Sequence, residues 1–209
     1  MYFFNRTEAG KALVKPLKAY KNNSQAVVFG LLRGGVPLAH VISKGLNIPL
    51  QILSVKKIGA PVQPELAIGA VCQDGIFFIH ERLVAYFSIS KEQMKETIAQ
   101  HQKLALEKYK KFSVYLSPID LKGKIAILVD DGLATGATMM ASIQSAKNQG
   151  ASKVVVAVPV ASIDSFEQAK EMANEVVCLA IPEDFSAVGR FYRDFTQVED
   201  EEVIEFLSD

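Results

Sequence analysis

Apolar residues along this chain follow two alternating patterns. Ala26–Leu32, Ile125–Val129 and Lys153–Val160 are runs without polar alternation, as expected of strands buried on both faces. Leu50–Val55 and Glu175–Ile181 add two more strands. Helical spacing fills the intervals. Asn5 with Glu8 caps a helix running from about Arg6 to Tyr20, which Pro16 should kink or shorten. Pro37 lies near the first position of a helix through Ala39, Val41 and Ile42, with Gly45 near its stop. Ser90 and Gln93 form a capping box, with Ile89 and Met94 as a hydrophobic staple. They open a long helix carrying Met94, Ile98, Ala105, Tyr109 and Phe112 on one face. Met139, Ile143 and Ala146 mark a helix stopped at Gly150, and Ser162 begins another toward Met172. Leu66–Val71 and Ile76–Ile79 flank Gln73-Asp74-Gly75 as an antiparallel hairpin. Lys57–Glu65, with Gly59, Pro61 and Pro64, reads as a loop without regular structure. Strand and helix alternate at least four times, which predicts a parallel sheet with helices on both sides.

Composition narrows the class. The chain has 209 residues, enough for one domain over 1–209 with a small appended subdomain. Lys plus Arg and Asp plus Glu are both 23, so no global field attracts a nucleic acid or a membrane surface, and no Lys/Arg stripe marks either as a partner. The first residues lack the apolar core of a signal peptide, and the apolar runs are too short to span a bilayer. Cys72 and Cys178 are isolated thiols without metal-ligand spacing, which fits a cytoplasmic protein with reduced cysteines. His40, His80 and His101 share no metal-binding pattern; His40 and His101 read as helix-surface residues, while His80 follows a strand.

The chemistry concentrates at the end of one strand. Ile125–Val129 runs into Asp130 and Asp131, then Gly132-Leu133-Ala134-Thr135-Gly136-Ala137-Thr138, then a helix. Open α/β sheets bind ligands at the carboxyl ends of their strands. Adjacent carboxylates repel, and suit a polyhydroxyl ligand or a bound cation that accepts both. In Ala134–Thr138 small side chains leave backbone N–H groups uncovered, Thr135 and Thr138 add hydroxyls, and the following helix adds its positive end, a setting for phosphate. Acids for a sugar diol beside a phosphate nest describe a ribose-phosphate site. A capped turn before a helix would explain one Asp, with Thr138 as N-cap, but not the whole arrangement. No G-x-x-x-x-G-K-[ST] occurs and no G-x-G-x-x-G follows a strand, which disfavours a nucleotide-cofactor oxidoreductase.

This ordered element, an apolar strand, two acids and T-G-x-T, resembles the ribose-5-phosphate loop of the type I phosphoribosyltransferases. The resemblance extends along the chain. Leu31-Leu32-Arg33-Gly34-Gly35-Val36-Pro37 matches the position of that family's pyrophosphate loop, although many members carry Pro where this chain has Leu32. Lys56-Lys57-Ile58-Gly59-Ala60-Pro61-Val62-Gln63-Pro64-Glu65 falls where the family carries a mobile catalytic loop. Phe185–Phe195 holds four aromatics and matches its variable hood, with Arg190 and Phe191 where relatives tend to have an acid and Trp.

The resemblance implies a Rossmann-like α/β fold with a hood built from N-terminal residues and about 183–200. It implies phosphoribosyl diphosphate and a nucleobase-like acceptor as partners, with Mg²⁺ as cofactor. Asp130 and Asp131 would hold the ribose hydroxyls directly or through metal-bound water. Arg33, Lys56 and Lys57 would meet the diphosphate, Gly34, Gly35, Gly132 and Ala134–Thr138 would bind the donor, and Phe185, Phe191 and Tyr192 would face the acceptor. A competing expectation makes Lys57–Val71 a fixed hairpin stabilising a homodimer. The alternative function is a ligand-sensing regulator that keeps the fold.

Overall fold

The computed structural model describes residues 2–209. Its strands β1 (Ala26–Leu31), β2 (Leu50–Leu53), β6 (Ile125–Val129), β7 (Lys153–Val160) and β8 (Glu175–Ala180) form one parallel sheet in the order β2-β1-β6-β7-β8. Helices α1 (Arg6–Val14) and α2 (Gly35–Leu46) pack on one face, and α5 (Ala137–Asn148) and α6 (Ile163–Met172) on the other. Successive side chains of a strand point to opposite faces. Val28, Ile127 and Val129 therefore meet Leu13, Leu38 and Ile42 on one side, while Phe29, Ala126 and Leu128 meet Met139, Met140 and Ile143 on the other. Both faces are apolar, which is why the strands show no polar alternation.

A second sheet, β3 (Val55–Ala60), β4 (Gln63–Cys72) and β5 (Phe77–Ile79), is antiparallel. It corrects the expectation of an irregular loop over Lys57–Glu65: Ala60 pairs with Gln63 around a Pro61-Val62 turn. The prolines are accommodated because Pro61 lies in the turn and the ladder shifts register on either side of Gly59. There the chains approach so closely that a Cβ on Gly59 would overlap the Pro64 carbonyl oxygen. The ribbon packs through Ile58, Ala60 and Ile68 on Met94 of the long helix α4 (Lys91–Ser113), whose capping box and staple form as expected. Its other face places Ala67, Ala70 and Cys72 on Ala137 and Ala141 of α5.

Other boundaries moved for local reasons. The first helix stops at Val14, ahead of Pro16, and a 3-10 turn follows at Lys18–Tyr20. Gly45 does not end α2; the helix runs past it to a left-handed Asn47, and Gly45 admits the Val14 side chain of α1. Two helices had no apolar stripe long enough to predict. The short α3 spans Glu81–Tyr86, and α7 spans Asp200–Ser208. In α7 only Val203 and Leu207 are buried, on Val36, Ile52 and Phe112. It covers His40, which is therefore not on the open surface: its Nδ1 lies 2.8 Å from the Phe206 carbonyl. No described helix is long and apolar enough to cross a membrane.

Candidate active site

The carboxyl ends of β1 and β6 are neighbours in the sheet, so the segments that leave them share one edge. They enclose a cavity of about 350 Å³. One wall is the acid pair. The Asp130 carboxylate accepts the Asp131 backbone N–H at 2.9 Å, and the Tyr192 hydroxyl donates to the Asp131 carbonyl at 2.7 Å. Burial, then the Asp131 charge, pushes the Asp130 carboxyl well above the usual carboxylate range. Burial raises Asp131 as well, opposed chiefly by the Arg6 guanidinium.

The floor is the loop Gly132–Gly136. Leu133 bridges to Ala161 at the end of β7, and the hydroxyls of Ser162 and Ser165 both donate to the Ala134 carbonyl, at 2.8 and 2.6 Å. Gly136 is left-handed (φ 73°) and immediately precedes α5, so it, and not Thr138, occupies the N-cap position. It has no capping side chain. The first N–H groups of a helix have no intrahelical partner, and here they open beside a cavity that Thr135, Gly136 and Thr138 line.

The opposite wall is the turn after β1. Its Leu32-Arg33 peptide is cis, Arg33 and Gly34 line the cavity, and a Cβ on Gly34 would overlap the Asp131 carboxylate. The Arg33 guanidinium is held by Glu199 at 3.2 Å and by Asp200 at 3.1 Å, at the start of α7. Lys57 completes the rim, and its charge lowers both aspartates against their burial.

The structure thus brings Asp130, Asp131, Arg33, Lys57, Gly34, Gly132, Ala134, Thr135, Gly136 and Thr138 to one cavity. Lys56 is exposed and does not line it; its charge is felt instead by Lys108 of α4. Gly35 and Ala137 are buried behind the wall. Phe185, Phe191 and Tyr192 do not line the cavity either. Phe191 stacks between Tyr2 and Phe185, and Tyr192 is core packed against Phe3. The sequence missed Arg6, Val188, Phe195, Gln197 and Val198, which form the hood side. Arg6 gave no signal, because its place at a helix start says nothing of a partner 125 positions away. His80 backs the same loop from outside, lining a separate cavity with Ala134 and Thr135; burial lowers its pKa. Burial raises both thiols, Cys178 to about 11, so neither is a thiolate nucleophile at neutral pH.

An acid pair, a glycine turn with an arginine and the uncapped start of a helix thus line one cavity on one edge of an α/β sheet. The phosphoribosyl transferase domain model matches residues 6–196, and the chain belongs to that family. TT1426 from Thermus thermophilus superposes with a TM-score of 0.83 at 36% identity, covering 100% of this chain and 98% of that one. AQ2163 of Aquifex aeolicus shares the fold at a TM-score of 0.54 and 17% identity, over 88% of this chain and 78% of its own. Two Mycobacterium tuberculosis proteins, MT0597 of strain CDC 1551 and Rv0571c of strain H37Rv, are each 43% identical over 206 residues. Both carry a provisional phosphoribosyl transferase name. The match covers 98% of this chain but 46% of theirs, so this chain spans about half the length of those relatives.

Proposed function

We propose that this domain transfers the 5-phosphoribosyl group from 5-phospho-α-D-ribose 1-diphosphate to a nucleobase-like acceptor. The observation that carries the reading is that a phosphate cradle, an acid pair and a basic glycine turn line one cavity. The 5-phosphate fits the uncovered N–H groups at the start of α5. Asp131 is engaged by Arg6 through Oδ2 alone, which leaves Oδ1 for a ribose hydroxyl. The diphosphate then lies toward Arg33, Gly34 and Lys57.

The donor set fits Mg²⁺. Two adjacent carboxylates offer hard oxygen ligands, and no described group of three or more His, Cys, Asp or Glu side chains makes a closed metal cage. Mg²⁺ commonly takes one or two carboxylates and fills its shell with substrate phosphates and water. When bound, the ion would neutralise charge on the leaving diphosphate.

In the transfer, the bond from ribose C1 to the diphosphate oxygen breaks and its electron pair leaves with diphosphate. An acceptor nitrogen lone pair forms the new bond to C1, and an acceptor that reacts at an N–H releases that proton. The carbon centre is electron-poor and vulnerable to water, so the residues' task is to position both reactants and stabilise the departing charge. No covalent nucleophile is required. Lys57 faces that charge and Lys56 does not. Lys57→Ala should therefore lower kcat by about 10–100-fold with a smaller change in KM, while Lys56→Ala stays within about 3-fold of the parent. Equal losses in steady-state assays of the two variants would remove Lys57 from this role.

Gly136→Val should weaken binding of ribose 5-phosphate by more than about 10-fold. It forces a β-branched residue to φ 73°, and its side chain meets Met140 and Ser165. Unchanged affinity by calorimetry would move the phosphate elsewhere. Release of diphosphate from the donor in the presence of Mg²⁺ and an acceptor panel tests the whole reading. Tight donor binding without turnover on any acceptor would favour the regulatory alternative.

A further inference from the structure

The hood side of the cavity carries one charged side chain, Arg6, among Val188, Phe195, Gln197 and Val198. Its guanidinium lies over Phe195, with Cζ 4.0 Å from the ring centroid. Nε and Nη2 each lie 2.9 Å from Asp131 Oδ2, and Nη1 donates to the Thr196 carbonyl at 2.7 Å. The side chain is only 12% exposed. A guanidinium has five N–H groups. Nε and Nη1 each donate one, Nη2 is ion-paired with Asp131, and the described residues supply no acceptor for the second N–H on either terminal nitrogen. The aromatic face that would stack an acceptor ring is thus already covered, by a planar cation with spare donors.

On the phosphoribosyltransferase reading, this end of the cavity receives the acceptor, next to the acids that hold the ribose. We infer that Arg6 selects the acceptor, and that the acceptor is a planar heterocycle carrying an anionic oxygen, of which a ring carboxylate is the simplest form. A planar ring enters beside the guanidinium where Arg6 lines the cavity, and its oxygen takes the spare N–H groups in the fork geometry that favours arginine over lysine. The pairing to Asp131 does not cancel this preference. When Asp131 turns part of its charge toward the ribose hydroxyls, Arg6 becomes the least compensated cation at that end. Phe195, the Thr196 carbonyl and Asp131 hold the guanidinium in place, so the recognition surface is formed before the acceptor arrives. A neutral base offers carbonyl acceptors at most, without the charge or the paired oxygens of a carboxylate.

The test is a calorimetric titration of matched acceptor pairs, orotate against uracil and nicotinate against nicotinamide, into the protein with Mg²⁺ and ribose 5-phosphate. The parent should bind the carboxylates at least 10-fold more tightly than their neutral partners. Arg6→Gln should reduce that ratio below 3-fold, and Arg6→Lys, which keeps the charge without the fork, should retain an intermediate ratio. Thermal unfolding of each variant verifies folding, and Phe195→Leu, which removes the platform but not the charge, should also diminish the ratio. A parent without preference for either acid, whether by equal binding or by no binding, overturns the inference, as does a preference that survives Arg6→Gln. A parallel titration of the Mg²⁺ complex of phosphoribosyl diphosphate separates the two levels. If the donor does not bind, the transferase reading falls and this one with it; if it binds while acid preference is absent, this inference alone fails.

Discussion

Asp130→Asn should inactivate the protein and make it more stable. The carboxylate sits against the apolar end of β6, beside a second acid, and both burial and that neighbour raise its pKa. Burial raises Asp131 too. A group with a raised folded pKa holds its proton more tightly folded than unfolded. Its contribution to stability is therefore present below the unfolded value, about 4 for aspartate, and is withdrawn as pH climbs through the folded value. At neutral pH the ionised pair is a cost to the fold. Asn keeps a side-chain oxygen for the Asp131 N–H and removes one of the repelling charges. The expected gain is on the order of 1 kcal/mol or more, each kcal/mol appearing as a Tm rise of about 2–4 °C for a chain of this size. Parent stability should fall as pH rises above about 4, the unfolded aspartate value, with a shallower fall in the variant. Activity should drop by roughly 10²-fold or more, because preorganised charge at the reacting sugar is lost. Denaturant melts across pH, with initial rates at one pH, check both halves; a variant less stable than the parent at pH 7 would mean that the carboxylate is satisfied in the fold.

Gly35→Ala should damage the fold, and Gly34→Ala chiefly the site. The two glycines face different obstacles. A Cβ on Gly35 would overlap the Val129 carbonyl oxygen and press on the Asp130 backbone, where β1 and β6 are locked in register and cannot yield. Overpacking of that kind costs about 1–3 kcal/mol or more, which predicts a Tm loss of about 2–12 °C. A Cβ on Gly34 would meet only the carboxylate of Asp131, a side chain that can turn away at the expense of Arg6. Its Tm should change by no more than about 4 °C while donor affinity falls by 10-fold or more. Equal thermal losses in the two variants, measured by calorimetry, would contradict this division.

The parallel sheet was legible because its inner strands are buried on both faces, so Val27–Phe29, Ile125–Val129 and Val154–Val158 run apolar without alternation. The ligand-binding edge was legible for the same reason that such edges bind ligands: polar and glycine residues end each apolar run abruptly, at Arg33 and at Asp130. What the sequence concealed is held by contacts between distant segments. The β3–β4 ribbon looked like a loop because two prolines are poor strand residues, and only pairing with Gly59 and packing on Met94 make it a sheet. The hood was expected from N-terminal residues and about 183–200, with Phe185, Phe191 and Tyr192 facing the acceptor. Aromatic content cannot tell a ring that packs inward on Phe3 from one that faces a cavity, as Phe195 does. Arg6 and α7 depend on partners more than a hundred residues away, Asp131 for the one and Arg33 for the other.

Titration of phosphoribosyl diphosphate with Mg²⁺ into the parent, Asp131→Asn and Gly136→Val proteins tests the central claim, that one cavity holds ribose and phosphate together. The parent should bind one equivalent of donor. Asp131→Asn should lose affinity for the donor while remaining folded, and Gly136→Val should lose affinity both for the donor and for ribose 5-phosphate alone. Donor binding of undiminished affinity in both variants would place the ligand outside this cavity and contradict the account.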